Sequence, residues 1–427
     1  MRAQTKNLII AAVIALVIGV AIGYVVKPSA PGPTTTVPET ATGGAQFPEV
    51  IKIGALLPLT GDLASFGEND AVAIKVAEED ANRFLQEVGL PYRVEVVIED
   101  TETKADVALQ KLQSLYARGI RLIVGPMSSA ELRNIKGYAD SNKIVIVSQS
   151  STAPALAIPG DYVFRLVTDD TFQGKVIAGL AKHVGIEHAV IMWRGDAWGD
   201  GLAEATKNSL QILGINVYDG PRYAPEAKEF SAEVSQLASM VQDLVNRYGP
   251  GKVGVVLICF EEVVPIMIQA SQYPVLSQVR WFGSDGIANS AALAADPVAS
   301  QFAINTQVWA PIAAPAENPK TEHVKSRVYE KLGREPESYA YNSYDAVWLL
   351  VLSVIVTGKY DGEAVKNALP AIAENFFGAS GWTKLNEAGD RAFADYYVWT
   401  VVEEKGRAVW KLVGIYDTIT NAFRPAS

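Results

Sequence analysis

The sequence predicts an α/β protein of two lobes, each built on a mostly parallel β-sheet flanked by helices. The first observation is a regular alternation of short apolar runs and helix patterns between residues 50 and 152. The second is that the same alternation restarts near residue 172 and continues to residue 282. Strands that alternate with helices form parallel sheets with right-handed crossovers, so two such stretches predict two lobes.

The first 46 residues precede this pattern and differ from it in composition. Arg2 and Lys6 are followed by an apolar run from residue 8 to 26, long enough to span the ~30 Å hydrocarbon core. Residues 1–27 therefore predict a membrane anchor, and the two cations place the rest of the chain outside. A cleaved secretory signal is the alternative. Residues 28–46 are rich in Pro, Thr and Gly and predict a stalk, which favours an anchored protein.

The first stretch contains four predicted strands, at 50–56, 92–98, 120–124 and 144–147, which are apolar and β-branched or alternate in polarity. Amphipathic patterns predict helices at 70–87, at 104–118 and after residue 129. The second stretch shows the same alternation of strands and helices. Its predicted strands are 188–193, 215–218, 253–260 and 279–282, and its predicted helices are 172–184, 202–213, 230–248 and 261–272. A terminal hairpin is predicted from 396–402 and 408–415.

Small hydroxyl residues follow two consecutive predicted strands of the first stretch. Ser128 and Ser129 follow the strand at 120–124, and Ser150 and Thr152 belong to the cluster after the strand at 144–147. Open α/β sheets bind ligands at the carboxyl ends of their strands, where helix N-termini suit an anion such as a carboxylate. One cluster alone would be an ordinary helix cap. Two clusters at neighbouring strand ends favour a binding site.

Composition and motif searches restrict the function classes. The chain has 427 residues and a formal net charge of −10, which disfavours nucleic acid as a partner. Its only cysteine, Cys259, lies in an apolar run, and its three histidines form no zinc-binding pattern, so no metal site is predicted. The sequence contains no GxSxG elbow and no complete Walker motif. Its one GxGxxG match, GPGKVG at residues 249–254, runs into the predicted strand at 253–260 and does not open a helix, so it does not indicate a dinucleotide site. No sequence motif therefore supports hydrolase or dehydrogenase chemistry.

Several motifs in order along the chain carry a resemblance to a known family: IKIGALLPLTGDLASFGEN, GPMSS, VSQSSTAP, YVFRLVTDDTFQG, WGDGLA, FGSDG and GWTKLNEAGD. From residue 47 onward the chain resembles the leucine/isoleucine/valine-binding proteins of branched-chain amino acid ABC transporters. The resemblance implies the type I periplasmic binding fold, with two lobes joined by three crossover hinges. It also implies a binding protein and not an enzyme, with no cofactor. Lobe one is then expected at 47–169 and 309–378, and lobe two at 170–308 and 379–427.

The family's ligand contacts transfer to matching positions. The resemblance implies that the ligand carboxylate is held by Ser129, with Ser128 beside it, by the backbone of Ser150 and by Thr152. Asp285 in FGSDG stands where an acidic residue binds the α-ammonium group.

Three aromatic residues stand where aromatics flank the ligand: Phe66, Trp198 and, with a less certain alignment, Phe260. Phe66 and Trp198 occur in sequence contexts rich in Gly and Asp, which predict turns and favour a binding role over core packing. The family often has tyrosine at these two positions, so the ligand's side chain stays open.

The sequence thus predicts an extracellular, membrane-anchored solute-binding protein that delivers an amino acid, branched-chain or otherwise aliphatic, to an ABC permease. One alternative is a binding protein for an amide or urea-like solute, which relatives on this fold also bind. Another is the ligand-sensing ectodomain of a receptor. Only a short N-terminal segment would lie inside the cell, which disfavours the receptor.

Overall fold

The structure is a computed structural model that describes residues 49–426. The predicted anchor at residues 1–27 and the predicted stalk at residues 28–46 lie outside the described residues, so both stay predictions.

The first lobe is built on a five-stranded sheet in which every pair of neighbours is parallel, as the sequence predicts. The strands are β1 (Val50–Leu57), β2 (Arg93–Asp100), β3 (Leu122–Val124), β4 (Val145–Ser148) and β5 (Val163–Arg165), in the order β2-β1-β3-β4-β5. The connecting helices are α1 (Ala64–Glu87), α2 (Ala105–Ala117) and α3 (Ser129–Ser141). The edge strand β5 was not predicted, since it is only three residues long.

The second lobe repeats this architecture with a four-stranded parallel sheet. Its strands are β6 (His188–Arg194), β7 (Asn216–Tyr223), β8 (Val253–Ile258) and β9 (Arg280–Phe282), in the order β7-β6-β8-β9. Its helices are α4 (Asp170–His183), α5 (Ala197–Ile212), α6 (Ser231–Tyr248), α7 (Val263–Ala270), α8 (Ala291–Ala295) and α9 (Pro297–Asn305). The predicted two-lobe α/β fold is therefore confirmed.

After the second lobe the chain crosses to the first lobe and then returns to the second. It forms β10 (Ala310–Ala313), α10 (Pro319–Leu332), α11 (Ser338–Thr357), α12 (Gly362–Glu374), a short hairpin of β11 (Phe377–Gly378) and β12 (Gly381–Trp382), and finally β13 (Tyr396–Glu404), β14 (Arg407–Asp417) and β15 (Ala422–Pro425). Helices α10 and α11 pack on α1. The antiparallel sheet β10-β13-β14-β15 contains the predicted terminal hairpin, β13 and β14.

Helix α11 is the one helix among residues 49–426 that is long and apolar enough to cross a membrane, and 78% of its apolar window is buried inside the protein. It packs against α1 and against β1, β3 and β4. Its apolar surface is thus used in the core of the first lobe.

Two large hydrophobic cores follow the two lobes. Ala310 and Ile312 of β10 lie in the core of the second lobe, so the packing favours counting β10 with lobe two, although the predicted boundary at residue 309 counts it with lobe one. The lobe boundaries stay a prediction. Five further residues of the predicted first lobe also lie in the second core, namely Leu63, Phe66, Met127, Val167 and Tyr339. They contact the second lobe across the cleft, so the lobes are closed on each other.

A buried ion pair joins two of the segments that run between the lobes. Arg165, the last residue of β5, donates to both carboxylate oxygens of Asp390 at 2.5 and 2.6 Å. The same guanidinium donates to the main-chain oxygens of Ser151 and Ala153 at 3.0 and 2.9 Å. Arg165 therefore fixes the hydroxyl-rich turn after β4 relative to the crossover segments.

Candidate ligand-binding site

A cavity lies between the carboxyl ends of the two parallel sheets. It encloses about 300 Å³, part of it open to solvent, and is lined by Leu63, Phe66, Met127, Ser128, Ser129, Ser150, Trp198, Phe260, Asp285, Gly286 and Tyr339. The lining includes seven of the eight predicted site residues. Thr152 is the exception. Residues separated by more than two hundred positions thus meet in the place where α/β sheets bind ligands.

Hydroxyl groups from two turns of lobe one form one side of the cavity. Ser129, the first residue of α3, lies 2.9 Å from the Ser151 hydroxyl and accepts the Ala153 N–H at 3.1 Å, measured at Oγ. Ser150 donates its hydroxyl to the main-chain oxygen of Met127 at 2.8 Å. The turns after β3 and β4 therefore form one rigid unit, and the N-terminus of α3 adds a partial positive charge. This side suits a carboxylate.

Ser128 is both a helix cap and a residue of the cavity lining. It is the N-cap of α3 in a capping box: its hydroxyl donates to Glu131 Oε2 at 2.5 Å, and the Glu131 N–H lies 3.3 Å from Ser128 Oγ. The hydroxyl is thus engaged by Glu131, although the residue lines the cavity.

Thr152 is buried outside the cavity lining, near Asp170. Its main-chain oxygen accepts the Asp170 N–H at 2.9 Å, and its hydroxyl oxygen has no hydrogen-bond partner within residues 49–426. A direct contact between the Thr152 hydroxyl and the ligand carboxylate stays a prediction.

Asp285 is a buried carboxylate on the opposite side of the cavity. It accepts hydrogen bonds from the Tyr339 hydroxyl at 2.5 Å and from Gln173 Nε2 at 2.9 Å, and its own N–H donates to Gln173 Oε1 at 2.8 Å. Burial raises the pKa of Asp285, and the hydrogen bonds from Tyr339 and Gln173 oppose this rise. Gln173 orients Asp285 from within the second lobe, and Tyr339 of α11 adds a contact from the first lobe when the lobes are closed.

A second buried carboxylate lies next to Asp285. Asp170 begins α4 and also accepts from Gln173 Nε2, at 3.0 Å. Burial raises the pKa of Asp170 well above its usual value, and the charge of Asp285 raises it further. One oxygen of Asp170 has no hydrogen-bond partner among the described residues. Two buried acids with repelling charges favour a cation between or beside them, such as an ammonium group.

Aromatic rings form the apolar wall of the cavity. Trp198 stacks on Phe260 with ring centroids 4.5 Å apart and an interplanar angle of 18°. Gly286 leaves room for this stack, because a Cβ there would lie 2.8 Å from Trp198 Cη2. Phe66, only 1% exposed, contributes from the first lobe. The wall offers apolar contact to an aliphatic side chain.

The local structure around two of these rings corrects an expectation. Phe66 and Trp198 were expected in turns, but both lie in the first turns of helices, α1 and α5. Helix α5 begins early because Asp196 caps it, accepting the N–H groups of Trp198 and Gly199 at 3.0 and 2.9 Å.

The fold and the site together define a class: two α/β lobes that enclose a small cavity with a carboxylate-binding side, an acidic side and an aromatic wall. Residues 69–404 match the family described as "Receptor family ligand binding region". Because this match covers most of the chain, the protein belongs to that family. Its resemblance to the leucine/isoleucine/valine-binding proteins is confirmed by the relatives that follow.

An uncharacterised protein of Methanocaldococcus jannaschii is 36% identical over 401 residues, which is 89% of this chain and 93% of that protein. The Leu/Ile/Val-binding protein BraC3 of Rhizobium johnstonii is 25% identical over 75% of this chain and 83% of its own length. The crystal structure of the leucine-binding protein LivK of Thermotoga maritima has a TM-score of 0.71 at 24% identity, covering 84% of this chain and 97% of LivK. This structural likeness establishes the fold.

Proposed function

We propose that this protein is the solute-binding component of an ABC importer and binds an aliphatic amino acid between its two lobes. The Leu/Ile/Val-binding relative and the leucine-binding structure support this ligand class. In the proposed complex the ligand carboxylate lies at the hydroxyl turns of lobe one. The ammonium group lies at Asp285, with Asp170 beside it, and the side chain packs on Trp198 and Phe260.

One observation carries the proposal. The anion-binding turns with Ser129 and Ser150 and the buried acid Asp285 line the same cavity from different lobes. A zwitterion has opposite charges on groups attached to one carbon, and it would match both sides at once. An unpaired buried charge is expensive, so each side also selects against ligands that lack its counter-charge.

An amide or urea-like ligand is the alternative. Such a ligand has no ammonium group for Asp285 and Asp170, and burying it there would leave the carboxylates without a counter-ion. The two buried acids therefore favour the amino acid.

The permease and the location of the protein are further parts of the proposal. The apolar run at residues 8–26 would anchor the chain at the outer face of the cell membrane, and the stalk would hold the lobes near the permease. Full-length protein should then fractionate with membranes. A mature protein that begins at Tyr24 would contradict the anchor and indicate a cleaved signal.

A thermal-shift screen of the full chain tests the ligand class. The panel should contain the aliphatic amino acids, the polar amino acids and small amides such as urea and acetamide. A ligand present at 100 times its Kd stabilises the folded state by about 2.7 kcal/mol. The proposal predicts that at least one aliphatic amino acid raises the Tm and that the amides do not. A shift with an amide alone would favour the alternative.

A further inference from the structure

Arg194, the last residue of β6, is a buried cation behind the aromatic wall of the cavity. Its side chain is 6% exposed, and its guanidinium carbon lies 4.6 Å from the centre of the Phe260 ring. A guanidinium over an aromatic face is attracted by the quadrupole of the ring. Phe260 in turn stacks on Trp198. Arg194 therefore supports the wall without lining the cavity itself.

Two carboxylates of the second lobe hold Arg194 in this position. Its Nε donates to Asp196 Oδ2 at 2.7 Å, and its Nη1 donates to Glu262 Oε1 at 2.9 Å. Asp196 is also the residue that caps α5 and accepts the N–H of Trp198. The same guanidinium thus contacts one ring of the wall and the cap that positions the other ring.

A third carboxylate reaches Arg194 from the first lobe. Nη1 of Arg194 also donates to Asp62 Oδ2, at 3.1 Å. Asp62 lies in the loop between β1 and α1, directly before Leu63 and four residues before Phe66, and both of these line the cavity. Its main-chain oxygen accepts the Glu261 N–H of the second lobe at 3.0 Å. These contacts cross the cleft, so they require the lobes to be closed.

We propose that Arg194 is a positioning residue that couples ligand contact at the Trp198–Phe260 wall to closure of the lobes through Asp62. The inference rests on the proposed function, since it takes the cavity to be the ligand site. A ligand packed on the wall holds Phe260 in place, and Phe260 holds the guanidinium in the orientation that Asp62 meets. Because the contact forms on closure, it slows ligand release more than it speeds association.

The arrangement needs arginine and not simply a positive charge. The planar guanidinium presents several N–H donors in a fixed fork and stacks on an aromatic face at the same time. A lysine ammonium is a compact point charge without a flat face. It cannot stack on Phe260 and also donate to Asp62, Asp196 and Glu262.

The buried charges around Arg194 decide which residue can be replaced without unfolding the second lobe. Removal of Arg194 would leave Asp196 and Glu262 buried without their cation, which is strongly destabilising. Removal of the Asp62 carboxylate leaves Arg194 compensated by these two acids, so the second lobe should keep its fold. Asp62 also accepts from Lys228 of the second lobe at 2.9 Å. Asp62→Ala therefore tests the coupling together with Arg194→Lys, which leaves the Lys228 pair in place.

Stopped-flow kinetics on the full chain give the first readout, with the amino acid that the thermal screen identifies. Asp62→Ala should raise the dissociation rate about 5- to 20-fold and change the association rate less than about threefold. Arg194→Lys should act in the same direction. Arg222→Gln is the matched control, because Arg222 is exposed and its hydrogen bonds within residues 49–426 go to Asp200 and Gly195 of its own lobe. It should release ligand at the wild-type rate.

The distance between the lobes gives the second readout. Spin labels at Asn134→Cys and Glu226→Cys report on the mouth of the cleft, which both residues line. The native Cys259 is fully buried and should stay unlabelled. With saturating ligand, Asp62→Ala should retain more of the long-distance population than the parent chain.

The outcomes are distinct. Wild-type release rates together with a wild-type distance distribution in Asp62→Ala would overturn the coupling. A parent chain that binds no amino acid would instead contradict the proposed function. In that case the ligand-free distances still decide the coupling, which predicts a longer mean distance in Asp62→Ala, and an unchanged distance would overturn it.

Discussion

Replacement of Asp285 by asparagine removes one negative charge from the cavity and almost nothing else. The carboxamide has the size of the carboxylate. Its oxygen can accept the hydrogen bond from Gln173, and its NH₂ group can donate to the Tyr339 hydroxyl. The contacts that now orient Asp285 are therefore retained in kind. Any loss of affinity in Asp285→Asn then reports the missing charge and not a disordered site.

The structure limits the size of the loss. Truncating one member of a buried charge pair costs roughly 2–5 kcal/mol. Asp170 stays in place as a second carboxylate near the ammonium position, so we expect the lower part of this range, about 2–3 kcal/mol. This loss corresponds to binding about 30- to 150-fold weaker.

Isothermal titration calorimetry with the best amino acid from the screen measures this loss. Glu337→Gln is the matched control, because Glu337 is an equally buried carboxylate that does not line the cavity. It should bind within about threefold of wild type. If Asp285→Asn also binds within about threefold, well under 1 kcal/mol, the assignment of the ammonium to Asp285 is wrong and the amide alternative gains support.

Three further predictions concern the wall, the pH dependence and the crossover segments. Trp198→Ala should weaken binding by about 2 kcal/mol or more, roughly 30-fold in the same titration, since it removes half of the stacked wall; unchanged affinity would contradict a ligand on that wall. Burial raises the pKa of Glu337 to about 7. The free energy of unfolding should therefore fall by about 1–3 kcal/mol as the pH rises from about 4.5 to 7, because the unfolded state releases the proton first. Urea denaturation should show this fall in wild type, and a Glu337→Gln variant with an equal fall would refute it. Asp390→Asn breaks a buried pair and should cost about 3–5 kcal/mol of stability, whereas Asp200→Asn breaks an exposed pair and should cost at most about 1 kcal/mol; equal costs would contradict this contrast.

The sheets were predictable because parallel strands buried on both faces leave a strong signal. β1, β3, β4 and β8 are short apolar runs, and each was placed within two residues of its observed ends. β5 gave no such signal, because a three-residue edge strand is too short for a pattern.

Helix starts were less predictable, because they depend on tertiary contacts. The predicted start of α1 was six residues late: the first turn has no side-chain cap and is held by Phe66, which is buried in the core of the other lobe. The predicted start of α5 was five residues late, because the glycines after Asp196 suggested a turn.

The candidate site was found in part. Ser129, Asp285 and Trp198 were identified from motifs that lie within single turns or helix starts. Tyr339 and Gln173 were missed because they reach Asp285 from α11 and α4, at sequence separations of 54 and 112 residues. Asp170 stands in the quoted motif YVFRLVTDDTFQG, and two adjacent acids at a helix start were the available signal. Its role beside Asp285 needed the fold.

A titration of ligand analogues tests whether the two lobes bind the two charges of one amino acid. If leucine proves to be the ligand, calorimetry of the full chain should compare leucine with 4-methylpentanoate, which lacks the ammonium group, and with isopentylamine, which lacks the carboxylate. Each analogue should bind at least about 30-fold more weakly than leucine, since each leaves a buried charged or polar group without its partner. If either analogue binds as tightly as the zwitterion, the lobe that was assigned to the missing charge does not recognise it, and the account is contradicted.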